Sequence, residues 1–271
     1  MEKARDFILK IFRLISKPEM RILPGQLAFF LVMTIFPVLA LVATIAAALS
    51  ISTESIRVAI SESIPSGLAK ILNSIITGNG INFNLVVFYF SAFLLASNGP
   101  YAMINISNEI YKTDPKNMIY RRLKAIVIIF IIVGLVLLLL AVPVFGGTIA
   151  NIIVQLTGDS KIVIQLGKIL SILKYPIVLI ILYINIKLMY IIAPDEEIIS
   201  SSTNKGAIFT SVGWVLATEI FAFYIDKFAK YDLFYGSISN IIVLLLWVYI
   251  LSYIFVLGMI INAGGLKEEL E

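Results

Sequence analysis

Six apolar blocks, each long enough to cross a lipid bilayer, constrain this chain more than any other feature. A helix that spans the hydrocarbon core needs ~20 predominantly apolar residues. Blocks of that kind run over 26–50, 84–106, 124–146, 170–193, 206–226 and 238–263. They use up most of the 271 residues and leave no room for a second soluble domain. Only 14% of the residues are charged, against the roughly 25% that covers a soluble domain with water-compatible surface. The mean hydropathy is +1.00. In lipid the backbone must satisfy its own hydrogen bonds, which leaves helices and closed barrels. The expected fold is therefore an all-α membrane protein, a bundle of six transmembrane helices.

The segments between the blocks carry their own patterns. Residues 1–21 place Phe7, Ile8, Ile11, Phe12 and Ile15 at helical spacing, with Lys3, Asp6, Lys10, Arg13 and Lys17 on other faces. Such a helix lies in the membrane interface or packs on the rest of the protein. No small-residue cleavage site follows an early apolar core, so this start does not read as a cleavable signal. Two connections, 51–83 and 147–169, hold apolar helical stripes: Leu68, Ile71, Leu72, Ile75 and Ile76 in one, Ile149, Ile152, Ile153 and Leu156 in the other. Interfacial helices, extensions of the spanning helices and re-entrant segments all remain open for them. The organisation expected is an amphipathic cytoplasmic interface helix over 1–21, a six-helix transmembrane domain over 22–264 and a short cytoplasmic tail over 265–271. No repeat of the first three blocks is visible in the last three.

Orientation follows from the cations, because cytoplasmic flanks collect Lys and Arg. With the N-terminus inside, thirteen of the 21 basic residues fall on inside segments and six on outside ones, while Lys174 and Lys187 lie within the fourth block. Six spans then put both termini in the cytoplasm and turn the two long connections outward together. The expected location is the cytoplasmic membrane, crossed several times. The net charge of +4 comes from these flanks and does not indicate a nucleic-acid partner.

The chain has neither histidine nor cysteine. This removes the commonest general base, the commonest transition-metal ligand and all thiolate chemistry. No Walker sequence is present, so ATP bound to this chain drives nothing. No metal site and no cofactor are expected. A membrane-embedded enzyme would need acids clustered around a metal, and one glutamate within a span is too few.

The candidate functional residues are therefore polar groups inside apolar blocks. Glu219 sits in the fifth block, where an ionisable group costs ~2.5–3.5 kcal/mol on insertion scales. It reads as a proton, cation or substrate contact, or as an acid near the outer boundary paired with a surface cation such as Lys227. Asn98, Asn105 and Asn108 fall near one helical face of the second block, with Ser97, Gly99 and Pro100 beside the first of them. They form either the polar wall of a pathway or interhelical hydrogen bonds worth ~0.6 kcal/mol each. Asn240 opens the sixth block after Tyr235, Gly236, Ser237 and Ser239, a composition suited to close helix packing. Lys187 either joins the pathway or snorkels to an interface, as Lys174 does. Lys112, Lys116, Arg121, Arg122 and Lys124 form the strongest electrostatic feature. They read as the topology signal or as contacts for anionic head groups, at ~1 kcal/mol per cation near the surface. Asp195, Glu196 and Glu197 read as a solvated acidic turn.

Three stretches recur in a familiar order: LAFFLVMTIFPVLALVA in the first block, NEIYKTDPKNMIYRRLKA after the second, and YGSISN followed by an apolar run through WVY to an asparagine-alanine close. At this spacing over 26–263 the chain resembles the YihY/virulence factor BrkB family. The resemblance implies a six-helix inner-membrane protein of bacteria and some archaea, without a settled activity. Members have carried a ribonuclease BN label that is widely regarded as a misassignment, and the lack of histidine ligands speaks against it here. Many relatives carry a glutamate two residues after the glycine near the end of the last span. This chain has Ile260 there, so no role for that acid carries over.

The functional expectation is a transporter or translocase of a polar or amphipathic substrate, with small anions and anionic lipids among the candidates. Prolines at 37, 100, 143 and 176 would give the bundle the irregular backbone found beside cavities. The alternative is a non-transporting scaffold that binds partner proteins or organises lipid, with every buried polar group paired to another helix. Membrane lipids are the partners expected in either case. The oligomeric state is left open.

Overall fold

The computed structural model describes residues 15–16, 18–48, 93–157, 160–227 and 239–264, with backbone alone at 36, 39–48, 139–157, 160–175 and 240. The described residues are all-helical. Six helices follow in order: α1 (Glu19–Ala48), α2 (Asn98–Tyr111), α3 (Met118–Thr157), α4 (Ser160–Ile192), α5 (Asn204–Lys227) and α6 (Ser239–Asn262). Over residues described with side chains, Asn204–Lys227 and Ile241–Asn262 are long and apolar enough to cross a membrane, and Pro176–Ile192 is a shorter apolar segment. Most of residues 1–21, all of 51–83 and the tail from 265 lie outside the described residues. The segment 147–169 is answered by the backbone. Residues 147–157 continue α3 and 160–169 begin α4. At 1.5 Å per residue the 40 residues of α3 reach roughly 60 Å, about twice a hydrocarbon core.

Each helix packs on the next, and α6 returns to α1, which closes the ring. The short α2 touches α1, α3 and α6 and forms the centre, with eight of its fourteen residues buried. One continuous core joins all six helices through Leu27, Ile104, Ile128, Ile186, Ala207 and Phe255. The outside of the bundle is also apolar. Leu123, Val127 and Phe130 on α3, and Ile208, Val212, Leu216 and Ile220 on α5, stand exposed at helical spacing. A soluble bundle would place charges on those stripes.

Several polar side chains turn inward and tie helix to helix. Pro100 interrupts the second block locally. Residues 93–96 are already helical, Ser97 N–H donates to the Phe93 carbonyl and Tyr101 N–H to the Ser97 carbonyl, and Pro100, in the first turn of α2, has no N–H to offer the Ala96 carbonyl. The neighbouring Gly99 N–H donates to Thr34 Oγ1 on α1 at 2.9 Å, and that hydroxyl donates to the Phe30 carbonyl at 2.7 Å. A Cβ on Gly99 would meet Thr34 Oγ1 at 2.6 Å, so glycine sets the α1–α2 approach. Across α5 and α6, Gly206 N–H donates to Asn262 Oδ1 at 2.7 Å and Trp214 Nε1 to the Leu251 carbonyl at 2.9 Å. The Tyr190 hydroxyl of α4 lies 2.7 Å from Thr210 Oγ1 and donates to the Phe255 carbonyl at 2.8 Å.

Glycine is what lets α5 and α6 meet. A Cβ on Gly206 would press on the Gly258 carbonyl and the Asn262 amide, and one on Gly258 would press on Thr210 and Tyr190. Gly134 of α3 has nothing within 4 Å of such a Cβ. Gly206→Ala and Gly258→Ala should therefore each lower the thermal unfolding midpoint in detergent, by an overpacking cost of ~1–3 kcal/mol. Gly134→Ala should be neutral or stabilise by up to ~1 kcal/mol through helix propensity. Equal midpoints for all three variants would contradict the close crossing.

Candidate functional site

The basic cluster and the asparagines, neighbours in the sequence on either side of the α2–α3 turn, meet at one end of the bundle. The chain reverses between α2 and α3, so later residues of α3 face earlier residues of α2. Arg121 Nη1 donates to Asn105 Oδ1 at 2.6 Å, and Arg122 Nη1 donates to Asn98 Oδ1 at 3.0 Å. Tyr101 lies between the two asparagines on the same helical face. Its ring centroid is 5.4 Å from the Arg121 guanidinium and 5.3 Å from that of Arg122. Arginine suits this arrangement because a planar guanidinium stacks and donates at once. Tyr120 plays the same part for lysines, with Lys116 Nζ 4.6 Å and Lys124 Nζ 5.4 Å from its centroid.

Asn108, one step further along the face, holds a different partner. Its Nδ2 donates to Asp195 Oδ2 at 2.7 Å, while its Oδ1 accepts from the Asp195 N–H at 2.8 Å and from Thr113 Oγ1 at 2.9 Å. Lys116 N–H also donates to Asp195 Oδ2, at 3.0 Å. Lys124 Nζ donates to Asp195 Oδ1 at 3.0 Å and to the carbonyls of Ala193 and Pro194. The Asp195 side chain is 0% exposed and that of Lys124 13%. This corrects the reading of Asp195 as a solvated acid: it is the buried centre of a clamp that binds the α4–α5 loop to α2 and α3. Glu196 and Glu197 are exposed, as expected. The clamp also commits Asn108 and Lys124 to internal partners. The signal missed in the sequence was charge complementarity, since one acidic turn faces a run of five cations at the same end.

The other candidates lie elsewhere. Lys112 is exposed and ends α2 in a left-handed conformation at φ 56°, its N–H donating to the Asn108 carbonyl. Lys187 is half-buried on α4, 5.9 Å from the Tyr183 ring centroid. Glu219 stands exposed on α5 beside Leu216 and Ile220 of the outward stripe, away from the basic end. Asn240 lies in the first turn of α6, and its side chain is outside the described residues. No group of acids suited to a metal occurs among the described residues.

Two recesses open at the basic end. One, of about 280 Å³, is lined by Asn105, Asn108, Glu109, Thr113, Pro115 and Arg121. The other, of about 270 Å³, is lined by Pro18, Glu19, Ile22, Leu23, Gln26 and Glu109. Glu109 borders both. Arg121 Nε and Glu19 Oε2 are buried without a hydrogen-bond partner, a condition that costs ~1–3 kcal/mol or more for a charged group.

Burial alone would raise the Asp195 carboxyl. The Lys124 ammonium, the Lys116 N–H and the Asn108 amide outweigh it and hold the group below its ordinary 3.8. A depressed folded value means that the unfolded chain binds the proton first. The clamp's contribution is therefore present above pH 3.8 and is lost as pH falls through the lower folded value. Hydrogen exchange over 193–203 should accelerate on acidification below that range. Asp195→Asn should accelerate it already at neutral pH, with a stability loss of about 3–5 kcal/mol, the usual cost of leaving one buried partner uncompensated. Unchanged exchange in both experiments would remove the clamp's structural role.

The family model described as Virulence factor BrkB matches residues 11–269. A protein of Bacillus subtilis (strain 168) that carries the name ribonuclease-like protein YfkH is 30% identical over 262 residues, 95% of this chain and 94% of that protein. The UPF0761 membrane protein PSHAa0171 of Pseudoalteromonas translucida (strain TAC 125) is 30% identical over 134 residues, 48% of this chain and 43% of that protein. A UPF0761 membrane protein of Vibrio campbellii (strain ATCC BAA-1116) is 32% identical over 81 residues, 30% of this chain and 26% of that protein. No solved structure matches the chain. With the family match running over nearly the whole sequence, the chain belongs to the BrkB virulence-factor family of membrane proteins.

Proposed function

We propose that this protein crosses the cytoplasmic membrane six times with both termini inside, and that it moves a polar or amphipathic, phosphate-bearing substrate which enters at the basic end. The observation that carries this reading is the recess lined by Asn105 and Arg121, beside the paired guanidiniums of Arg121 and Arg122, at the end of the bundle that this reading sets among head groups. Cations at such a level attract anionic lipid, and the exposed Met118, Ile119 and Leu123 beside them suit an interface. Asn105 gives its carbonyl oxygen to Arg121 and keeps its amide N–H groups for a ligand. In this reading Arg121, Arg122 and Asn105 receive the substrate, while Asn108, Lys124 and Asp195 hold the shape of the entrance. The ribonuclease-like name of one relative is not carried over, because a chain without histidine lacks the usual ligands and base of such an enzyme.

A second reading, a lipid-organising scaffold, draws on the pairing of Asn98 and Asn108 with other elements and on the glycine-closed α5–α6 seam. The absence of native cysteine separates the two. Single cysteines at Asn98, Asn105 and Glu219, in intact membranes, would be challenged with an impermeant thiol reagent from each side. Transport predicts cytoplasmic labelling at Asn105 and slower but measurable labelling at Asn98. Protection of both, with a cysteine at exposed Lys112 labelled normally, would sink transport and leave the scaffold.

A further inference from the structure

The two recesses at the basic end differ in charge and share a wall. On one side are Arg121 and the Asn105 amide, on the other Glu19, and Glu109 stands between. A plain anion site would not place the Glu109 carboxylate in the same recess as its arginine, with a second carboxylate, Glu19, across the shared wall. Both an arginine nitrogen and a glutamate oxygen are buried without a partner there. Each would gain from a ligand that completes its hydrogen bonds after a small turn of the side chain. An acid in the first turn of α1 also suits the helix dipole, but that accounts for its charge and not for the unpartnered oxygen. Glu109 lies at the far end of α2, where the dipole disfavours an acid, and it is exposed to the recess.

We infer that the paired recess binds a zwitterionic amino-phosphate head group, with the phosphate on Arg121 and Asn105 and the primary ammonium on Glu109 and Glu19. The inference rests on the reading above that this end meets head groups. The chemistry follows from the groups present. A guanidinium donates bidentately to phosphate oxygens, and a primary ammonium offers three donors to carboxylates. A quaternary ammonium offers none, and a glycerol head group carries no cation. The site should therefore select a phosphoethanolamine head over both.

The full-length protein in mild detergent would be titrated with phosphatidylethanolamine, phosphatidylcholine and phosphatidylglycerol, and bound lipid counted by native mass spectrometry. O-phosphoethanolamine and inorganic phosphate would be run in parallel. The wild type should prefer phosphatidylethanolamine by about tenfold or more over both other lipids. Glu19→Gln/Glu109→Gln should abolish that preference while phosphatidylglycerol binding persists or strengthens. Arg121→Gln should weaken all three, and Arg121→Lys, which keeps the charge and guards against misfolding, should restore part of the binding. Binding of O-phosphoethanolamine with the same dependence would assign the site to a soluble head-group compound, and its failure beside lipid binding would assign it to the lipid. Equal affinity for the three lipids, or a preference indifferent to the double variant, would overturn the proposal. Because detergent binding needs no flux, head-group selectivity in a protein that fails to transport would leave this inference standing and remove only the transport step.

Discussion

A bundle with an apolar outer face gives its buried polar groups little water to fall back on, and those that bond do so within the chain. That constraint organises everything described here. With lipid as apolar as leucine, burying leucine drives little, and helices associate through close packing and hydrogen bonds. The contacts follow suit. Gly99 and Thr34 join α1 to α2, Tyr190 joins α4 to α5 and α6, and Trp214 reaches the α6 backbone. Glycines at 206 and 258 stand where a single methyl group would force the helices apart.

At the basic end the same rule meets full charges. Arg121 and Arg122 are answered by amide oxygens and an aromatic ring, which spread the charge without neutralising it. Lys124 is answered by a buried carboxylate, which does neutralise it. This division separates a fixed frame from a surface that keeps positive potential. Asp195 gathers the end of α2, the start of α3 and the loop before α5 into one unit. The recesses open beside that unit, not through the middle of the bundle.

Much of the helical architecture was legible in the sequence. The apolar blocks at 206–226 and 238–263 agree with α5 and α6 to within two residues, because length and hydropathy decide those helices almost alone. The second block was harder. Pro100 suggested a break inside a span, and the helix is interrupted there, with residues 93–96 helical, a turn at Ser97 and α2 after it. The apolar stripe at 149–156 did not reveal that α3 simply continues, since a stripe looks alike on an interfacial helix and on an extension. For the site, the spacing of Asn98, Asn105 and Asn108 gave the right helical face, but not their partners. Pairing across 16 to 87 residues is a tertiary fact. Nothing in the sequence singled out Tyr101 or Tyr120, and Asp195 read as a solvated surface acid.

The central claim is that the bundle wears its apolar stripes toward lipid and its basic end toward head groups. Spin labels on single cysteines at Leu216, Ile220, Val127 and Lys112, in reconstituted vesicles, report depth through relaxation by oxygen and by a water-soluble nickel complex. The account predicts oxygen-dominated relaxation at Leu216, Ile220 and Val127 and nickel-dominated relaxation at Lys112. Nickel-dominated relaxation along the α5 stripe would contradict it, because those residues would then face water or a wet cavity and the bundle would have to be turned inside out.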